Sequence, residues 1–397
     1  MKKIKIFFWV SIICSGLVGC KYLSKITSET ENNTNTEIEI EYSENRDKFN
    51  YFSENISFGI NEKNKIKQWA FSNDGTFDYF VNDIESWGDD SLRSCKNRDI
   101  NCANISMPDQ STETIIAIID TSFCIDKFSM GDSVWINPNE VAGDGLDNDN
   151  NGYIDDIQGY NFCEMNQYIN NDAEHGTAIL GIMCAKPKLE GYKNVIGNYN
   201  IKVMCVKTLN DVTESASINS VVESIKYAEA NGANVCCLSF GTITYSKELQ
   251  ETIKNSKMLF VVASGNDGYD IDNEIPFYPA SFPEENIITV ASMRSDGKID
   301  YTSNYGKSSV DLVAPGTDIV SVIPSGRFAY FSGTSYAVPF VGGVAAKIYN
   351  RNKNNMSSLE VKKIILDNVK VSKELGKYVK SSGMLDEKRA IENCIKK

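Results

Sequence analysis

From Thr114 onward, short apolar runs alternate with segments whose apolar residues recur every three or four positions. Five runs have strand length: Thr114 to Asp120, Ile201 to Lys207, Ala233 to Ser239, Lys257 to Ala263 and Ile287 to Ala291. Several are dense in Val and Ile, as strands buried on both faces require. Between the second and third, Ile218, Val221, Val222, Ile225 and Ala228 share one helical face, and Gly232 stands where that helix would end. Another helix is expected from about Ser335 to Tyr349, where Gly342, Gly343, Ala345 and Ala346 allow close interior packing. This alternation predicts an α/β fold of three layers, a mostly parallel central sheet with helices on both faces. No internal repeat is found.

The segment before this pattern differs. Residues 24 to about 55 are mostly Asn, Thr, Glu and Ser, too polar to offset the entropy of ordering, so 21–65 reads as a flexible tether. The folded domain is expected over 66–397, opening with Gln68, Trp69 and Ala70. Residues 1–20 carry Lys2, Lys3 and Lys5 and then an apolar run from Ile6 to Val18, the pattern of a targeting segment too short to span a bilayer comfortably.

Charge and cysteine narrow the function classes. A formal charge of -13 argues against nucleic acid as a partner, because phosphate binding needs clustered Lys and Arg. Two of the eleven Cys, Cys14 and Cys20, fall in the leader; the odd remainder has no CxxC spacing, which disfavours a metal cluster. Cys124, Cys184, Cys205, Cys236 and Cys237 sit in apolar runs and read as small buried hydrophobes. Cys95 and Cys102 are the candidate bridge.

The chain has one histidine, His175, followed by Gly176 and Thr177 at an expected helix start. Asp120 ends a strand, where open α/β sheets place their binding crevice. Ser335 lies in the run Ser332, Gly333, Thr334, Ser335, Tyr336, Ala337 at another helix start, where backbone N–H groups favour an anion. Asn266 follows a buried strand and carries a side-chain amide suited to an oxyanion. Singly, these residues also read as a helix cap, a core histidine, an N-cap serine and a turn residue.

Together, Asp120, His175 and Ser335 in that chain order resemble the subtilisin-like (subtilase) family. Asp120 and Thr121 are similar to its Asp motif, His175 to Thr177 to its His motif, and Gly333 to Ala337 with Pro339 to its Ser motif. Asn266 falls on its oxyanion asparagine. Leu238 to Gly241 resembles the strand that pairs with substrate backbone, and Val313 to Gly316 the segment before the Ser motif. The likeness runs from about Gln68 to Ile391 and departs from the family at Ser122, usually Gly, and Ala178, usually a second His. It implies a serine endopeptidase acting on protein or peptide substrates through an acyl-enzyme, without a catalytic cofactor. Asp120, His175 and Ser335 would be catalytic; Ser239, Phe240, Gly241, Ala263, Ser264 and Gly265 would line the cleft. Phe277 would lie near the base of the primary pocket and favour small side chains.

Three further expectations accompany this reading. Asp147, Asp149, Asn151, Gly152, Tyr153 and Asp155 reproduce most of a calcium loop's spacing, with Gln158 where a bidentate Glu would stand, so structural calcium competes with a solvated acidic turn. Leu17, Val18, Gly19 and Cys20 resemble a bacterial lipobox, which implies export to the cell envelope and lipidation of Cys20 as a membrane anchor. A plain cleaved signal and an uncleaved anchor are the other readings. About 47 residues separate Cys20 from Gln68, too few for the folding prodomain many secreted relatives carry. A monomer is expected. The rival function is a catalytically silent surface lipoprotein that binds peptides with the same fold. An α/β-hydrolase is excluded, since that class needs Gly-x-Ser-x-Gly and a late His.

Overall fold

Strand β1 (Thr114–Asp120) is buried along nearly all its length, as its apolar run predicts for a strand covered on both sides. The computed structural model describes Gln68, Ala70, Phe71 and residues 111–187 and 192–394; the expected signal segment and tether, Cys20 and the candidate Cys95–Cys102 bridge lie outside them. Parallel to β1 run β2 (Ile201–Lys207) on one side and β3 (Val235–Leu238) on the other. The sheet continues through β4 (Leu259–Ala263), β5 (Ile287–Met293) and β6 (Leu312–Pro315), all parallel. A short pair, β9 (Lys370–Val371) and β10 (Gly383–Met384), closes the far edge, and only β9 is antiparallel. The order is β2-β1-β3-β4-β5-β6-β10-β9, with β7 (Ile319–Val322) and β8 (Phe328–Phe331) as a separate hairpin.

Two strands are shorter than their apolar runs because polar residues end the ladder. Asn234 Oδ1 accepts the Ile115 N–H at 3.2 Å, and β3 starts only after it. Ser256 Oγ accepts the Met258 N–H, forming a turn just before β4. On one face pack α1 (Glu174–Cys184), α4 (Thr334–Arg351), α5 (Ser358–Asp367) and α6 (Glu387–Asn393). On the other lie α2 (Ile218–Ala230) and α3 (Lys247–Asn255). Cys124, Cys184, Cys205, Cys236 and Cys237 are buried and unpaired, as their apolar surroundings predict.

Helix α4 runs beneath the sheet and is buried from Thr334 to Asn350. Its small residues set the distance. A Cβ on Gly342 would stand 2.4 Å from Cys237 Sγ, and one on Gly343 2.3 Å from Val195 Cγ1, closer than atoms tolerate. Gly342→Val is therefore expected to destabilise the fold by about 2 kcal/mol, since overpacking a filled core outweighs the few tenths gained in helix propensity. The urea midpoint measures it; an unchanged midpoint would mean that Cys237 moves aside freely.

The chain leaves β1, forms β2 on one side, then crosses to β3 on the other, so the strand order reverses at β1. Outside the carboxyl ends of such neighbouring strands a crevice opens. Asp120 ends β1 there, Ser239 follows β3, and Ala263 ends β4.

Candidate active site

The single histidine is the second residue of α1, and its ring is brought to Asp120. His175 Nδ1 lies 2.6 Å from Asp120 Oδ1, with both side chains buried. The same oxygen accepts the Thr121 N–H at 2.7 Å, whereas Asp120 Oδ2 is buried without a hydrogen bond. Thr121 couples the two elements: its Oγ1 accepts the Gly176 N–H at 2.9 Å. Gly176 is required for that approach, because a Cβ there would stand 2.6 Å from the Ser122 carbonyl. Burial favours the neutral imidazole, but the charge of Asp120 and its hydrogen bond outweigh this, so His175 titrates above the ordinary histidine range. Glu214 adds to the upward shift.

Ser335 is the second residue of α4, and its surroundings follow from the proline four residues on. Pro339 has no N–H to give the Ser335 carbonyl, the acceptor a regular helix would pair with it. Ser239 Oγ donates to that carbonyl instead, at 3.1 Å. In return Ser335 Oγ donates to the Ser239 carbonyl at 2.7 Å. Among the described residues Ser335 Oγ is thus joined to β3's continuation. Ser239 follows Leu238, the register partner of Ile119, so Ser335 is tied to the sheet edge at which Asp120 ends β1, and the ring of the following residue, Tyr336, has its centroid 5.7 Å from that of His175.

Asn266 is oriented by Thr334. Its Oδ1 accepts the Thr334 N–H at 2.8 Å and the Thr334 hydroxyl at 3.1 Å, which leaves Nδ2 as the outward group. Gly333 precedes the helix with φ 147°, a backbone conformation that other residues rarely adopt. Tyr336 N–H is taken by the Gly333 carbonyl. The Ser335 N–H between them, at a helix start, is given no acceptor among the described residues. One carboxylate–imidazole pair, one hydroxyl, one side-chain amide and one free backbone N–H thus converge at one edge of the sheet.

Residues 111–386 match the model of the Subtilase family. The chain belongs to the subtilase family.

Among curated relatives, this subtilase is 36% identical over 205 residues to the thermophilic serine proteinase of Bacillus sp. (strain AK1), covering 50% of this chain and 48% of that one. It is 34% identical over 218 residues to the cell wall-associated protease of Bacillus subtilis (strain 168), covering 53% and 23%. With subtilisin-like protease 1 of Plasmodium falciparum (isolate 3D7) it shares 27% identity over 311 residues, 72% of this chain and 44% of the relative. The subtilase chain thus spans less than half the length of these relatives. Its fold resembles that of a cold adapted subtilisin-like serine proteinase, with TM-score 0.55 and 24% identity over 73% of this chain and 95% of that one. It also resembles the epidermin leader peptide processing serine protease of Staphylococcus aureus, with TM-score 0.57 and 22% identity over 73% and 77%.

The stretches Ser239 to Gly241 and Ala263 to Gly265 of this subtilase flank the Phe277 ring. A Cβ on Gly241 would meet that ring at 2.3 Å, and one on Gly265 at 3.2 Å. Phe277 is held by hydrogen bonds either side of it: Thr242 and Tyr278 exchange N–H groups at 2.8 and 2.7 Å, and the Phe277 N–H reaches Ser281 Oγ at 3.0 Å. Asn304 fixes the second stretch, donating to the Ser264 carbonyl at 3.0 Å and accepting the Asp267 and Tyr269 N–H groups. Neither Asn304 nor Thr334 was singled out from the sequence for these jobs. An asparagine in a polar turn and a threonine at a helix start carry no local signal of their distant partners.

The acidic loop is arranged differently from its spacing. Asp155 accepts the Gly143 and Gly145 N–H groups at 2.7 and 3.2 Å. The Tyr153 ring packs against Tyr160, Phe162 and Tyr227. Of the carboxylates in the predicted set, Asp147 and Asp149 lie together with Glu140, with one oxygen from each within 4.8 Å of the others, and the Asn151 N–H is shared between Asp147 and Asp149. Asn151 Nδ2 donates to the Asp149 and Asp156 carboxylates. Among the described residues no Lys or Arg pairs with Glu140, Asp147 or Asp149.

Proposed function

We propose that this subtilase is a serine endopeptidase that cleaves peptide bonds with Ser335 as nucleophile. The observation that carries the reading is the 2.6 Å contact between the only imidazole of the chain and a buried carboxylate; the hydrogen bond of Ser335 to Ser239, on the strand next to that of Asp120, supports it. In the reaction, Ser335 Oγ leaves the Ser239 carbonyl by a χ1 rotation to another staggered well and donates to His175 Nε2. His175 takes the proton as Oγ attacks the scissile carbonyl, then returns it to the leaving amine; water completes the cycle on the acyl-enzyme. Asp120 holds Nδ1–H and stabilises the imidazolium. Asn266 Nδ2 and the Ser335 N–H receive the oxyanion, each contributing about 3 to 4 kcal/mol, a magnitude carried over from another subtilase. Labelling by a fluorophosphonate probe, lost in Ser335→Ala, tests the proposal; a wild-type chain that folds but takes no label would favour the silent peptide-binding lipoprotein.

The packing of Phe277 between the two cleft stretches supports a shallow primary pocket that accepts small side chains. Phe277→Gly is expected to raise kcat/KM for a large aromatic over alanine at the cleaved residue by about tenfold or more, since each buried methylene is worth about 1 to 3 kcal/mol. Peptide-library profiling measures it, and a wild-type preference for large aromatics would end this part of the reading.

For structural calcium, three clustered carboxylates that have hydrogen-bond donors but no Lys or Arg partner among the described residues suit a hard cation, so Glu140, Asp147 and Asp149 would hold it and pin the loop. Calorimetry should show binding and chelation should lower the melting temperature; neither occurring would leave a solvated turn. Export and lipid anchoring rest on residues 1–20. Among the described residues no helix is long and apolar enough to cross a membrane. Incorporation of a labelled fatty acid, abolished by Cys20→Ala, is the corresponding test.

A further inference from the structure

We propose that Glu214 is a specificity-determining residue that draws a lysine or arginine side chain of the substrate into the cleft beside His175, an inference that rests on the peptidase reading above. Glu214 lies on the loop of residues 208–217 between β2 and α2. That loop is built onto the candidate site: the Thr208 and Leu209 N–H groups both donate to the Asp120 carbonyl, at 2.8 and 3.1 Å. Asn210 shapes its tip. The Asn210 side chain accepts the Val212 and Thr213 N–H groups at 3.0 Å each, and its carbonyl accepts the Glu214 N–H at 2.9 Å. Glu214 thereby takes a left-handed backbone conformation, φ 49°, at the turn that the Asn210 carbonyl closes.

The loop's two acids have opposite fates. Asp211 is saturated: it accepts the Ser122 N–H at 2.9 Å, the Ser122 hydroxyl at 2.7 Å and Asn171 Nδ2 at 3.0 Å, with the buried Lys207 ammonium 3.8 Å away. Ser122, which replaces the glycine usual in the family, is thus a clamp that pins the loop to the strand end bearing Asp120. Glu214 is half-buried, and its side chain makes no hydrogen bond or ion pair among the described residues. The charges that act on it are His175, Asp120 and Glu174, with no Lys or Arg among them. Burial is the first cause that holds its carboxyl above the usual range, and the two acids add to it.

A partly desolvated carboxylate beside two like charges gains from any cation that reaches it. The imidazole cannot serve fully, because it is already paired with Asp120 and must be neutral to act as a base. A substrate ammonium or guanidinium can. Val212, next but one to Glu214 and 90% exposed, is an apolar surface on which the aliphatic stem of such a side chain can lie. A neutral substrate leaves Glu214 uncompensated, so the discrimination acts against neutral residues as well as in favour of basic ones.

The test scans Lys, Arg, Gln, Leu and Glu through each position within three residues of the scissile bond. At one position, kcat/KM for Lys or Arg is expected to exceed that for Gln by about five- to tenfold, and the ratio should shrink in salt of about 0.5 M. In Glu214→Gln the ratio falls below about twofold while the Gln and Leu peptides stay within about twofold of wild type. A ratio that is the same in wild type and Glu214→Gln, or a variant that loses activity equally on all peptides, overturns the assignment. Calorimetric binding of the preferred Lys peptide and its Gln counterpart to Ser335→Ala gives the same comparison without turnover. There the ratio should persist, and equal affinities overturn the role of Glu214. If the ratio persists in binding but the wild-type chain takes no fluorophosphonate, the peptidase reading fails and the recognition role of Glu214 stands.

Discussion

Ser335→Ala is expected to lower kcat by on the order of a million-fold, the loss found for the nucleophile of a related subtilase. The size follows from cooperation: without Oγ, the imidazole has nothing to activate and Asp120 nothing to assist. The oxyanion donors survive, so a residual rate above that of water should remain, owed to Asn266 and the residue 335 N–H. Stability should change little. The variant loses one hydrogen bond, Ser335 Oγ to the Ser239 carbonyl at 2.7 Å, worth about 1 kcal/mol net. The Ser239 Oγ bond to the residue 335 carbonyl is untouched, because it compensates Pro339 and not the serine side chain. Steady-state kinetics on a chromogenic peptide, with urea unfolding as the control, decides it. Turnover within tenfold of wild type would remove Ser335 from the mechanism.

Asp120→Asn should lower kcat by about ten thousand-fold, with little change in KM. An asparagine amide that donates to His175 Nδ1 places the ring proton on Nε2, the atom that must accept from Ser335. The ring's titration should also move. Asp120 is the chief group raising the His175 pKa against burial, so removing it lets burial carry the pKa down. Two signs follow. As a base His175 must be neutral, so in wild type the acid limb of kcat/KM lies above the ordinary histidine value of about 6.5, and it shifts to lower pH in the variant. For stability, a pKa raised by folding contributes fully below the unfolded value and is lost as pH rises through the folded one. The variant lacks that contribution. With one histidine in the chain, a single imidazole resonance reports the titration without assignment. A variant whose His175 titrates as in wild type would show that Asp120 does not set the ring's charge.

What could be read from residues alone was what depends on local pattern. Five parallel strands, the α2 face and the buried α4 helix follow from apolar periodicity, since burial on both faces demands unbroken apolar runs. Asp120, His175, Ser335 and Asn266 could be proposed from the sequence because a chemical motif needs its own neighbours: Gly176 to let α1 approach Thr121 and Ser122, Gly333 for the positive φ before α4. The small outer elements were not legible. Helix α3 buries only Leu249 and Ile253, and β9 and β10 are two residues each, so neither carries a period long enough to read.

Tertiary structure alone decided where the polar side chains turn. Ser335 rests on the Ser239 carbonyl, Glu140 lies with Asp147 and Asp149, and Asp211 clamps Ser122. The reason is range. Apolar burial is non-directional and is averaged over many neighbours, so composition and spacing determine it. A hydrogen bond or ion pair needs two particular atoms within about 3 Å, and its partner comes from a distant segment whose arrival no local sequence records.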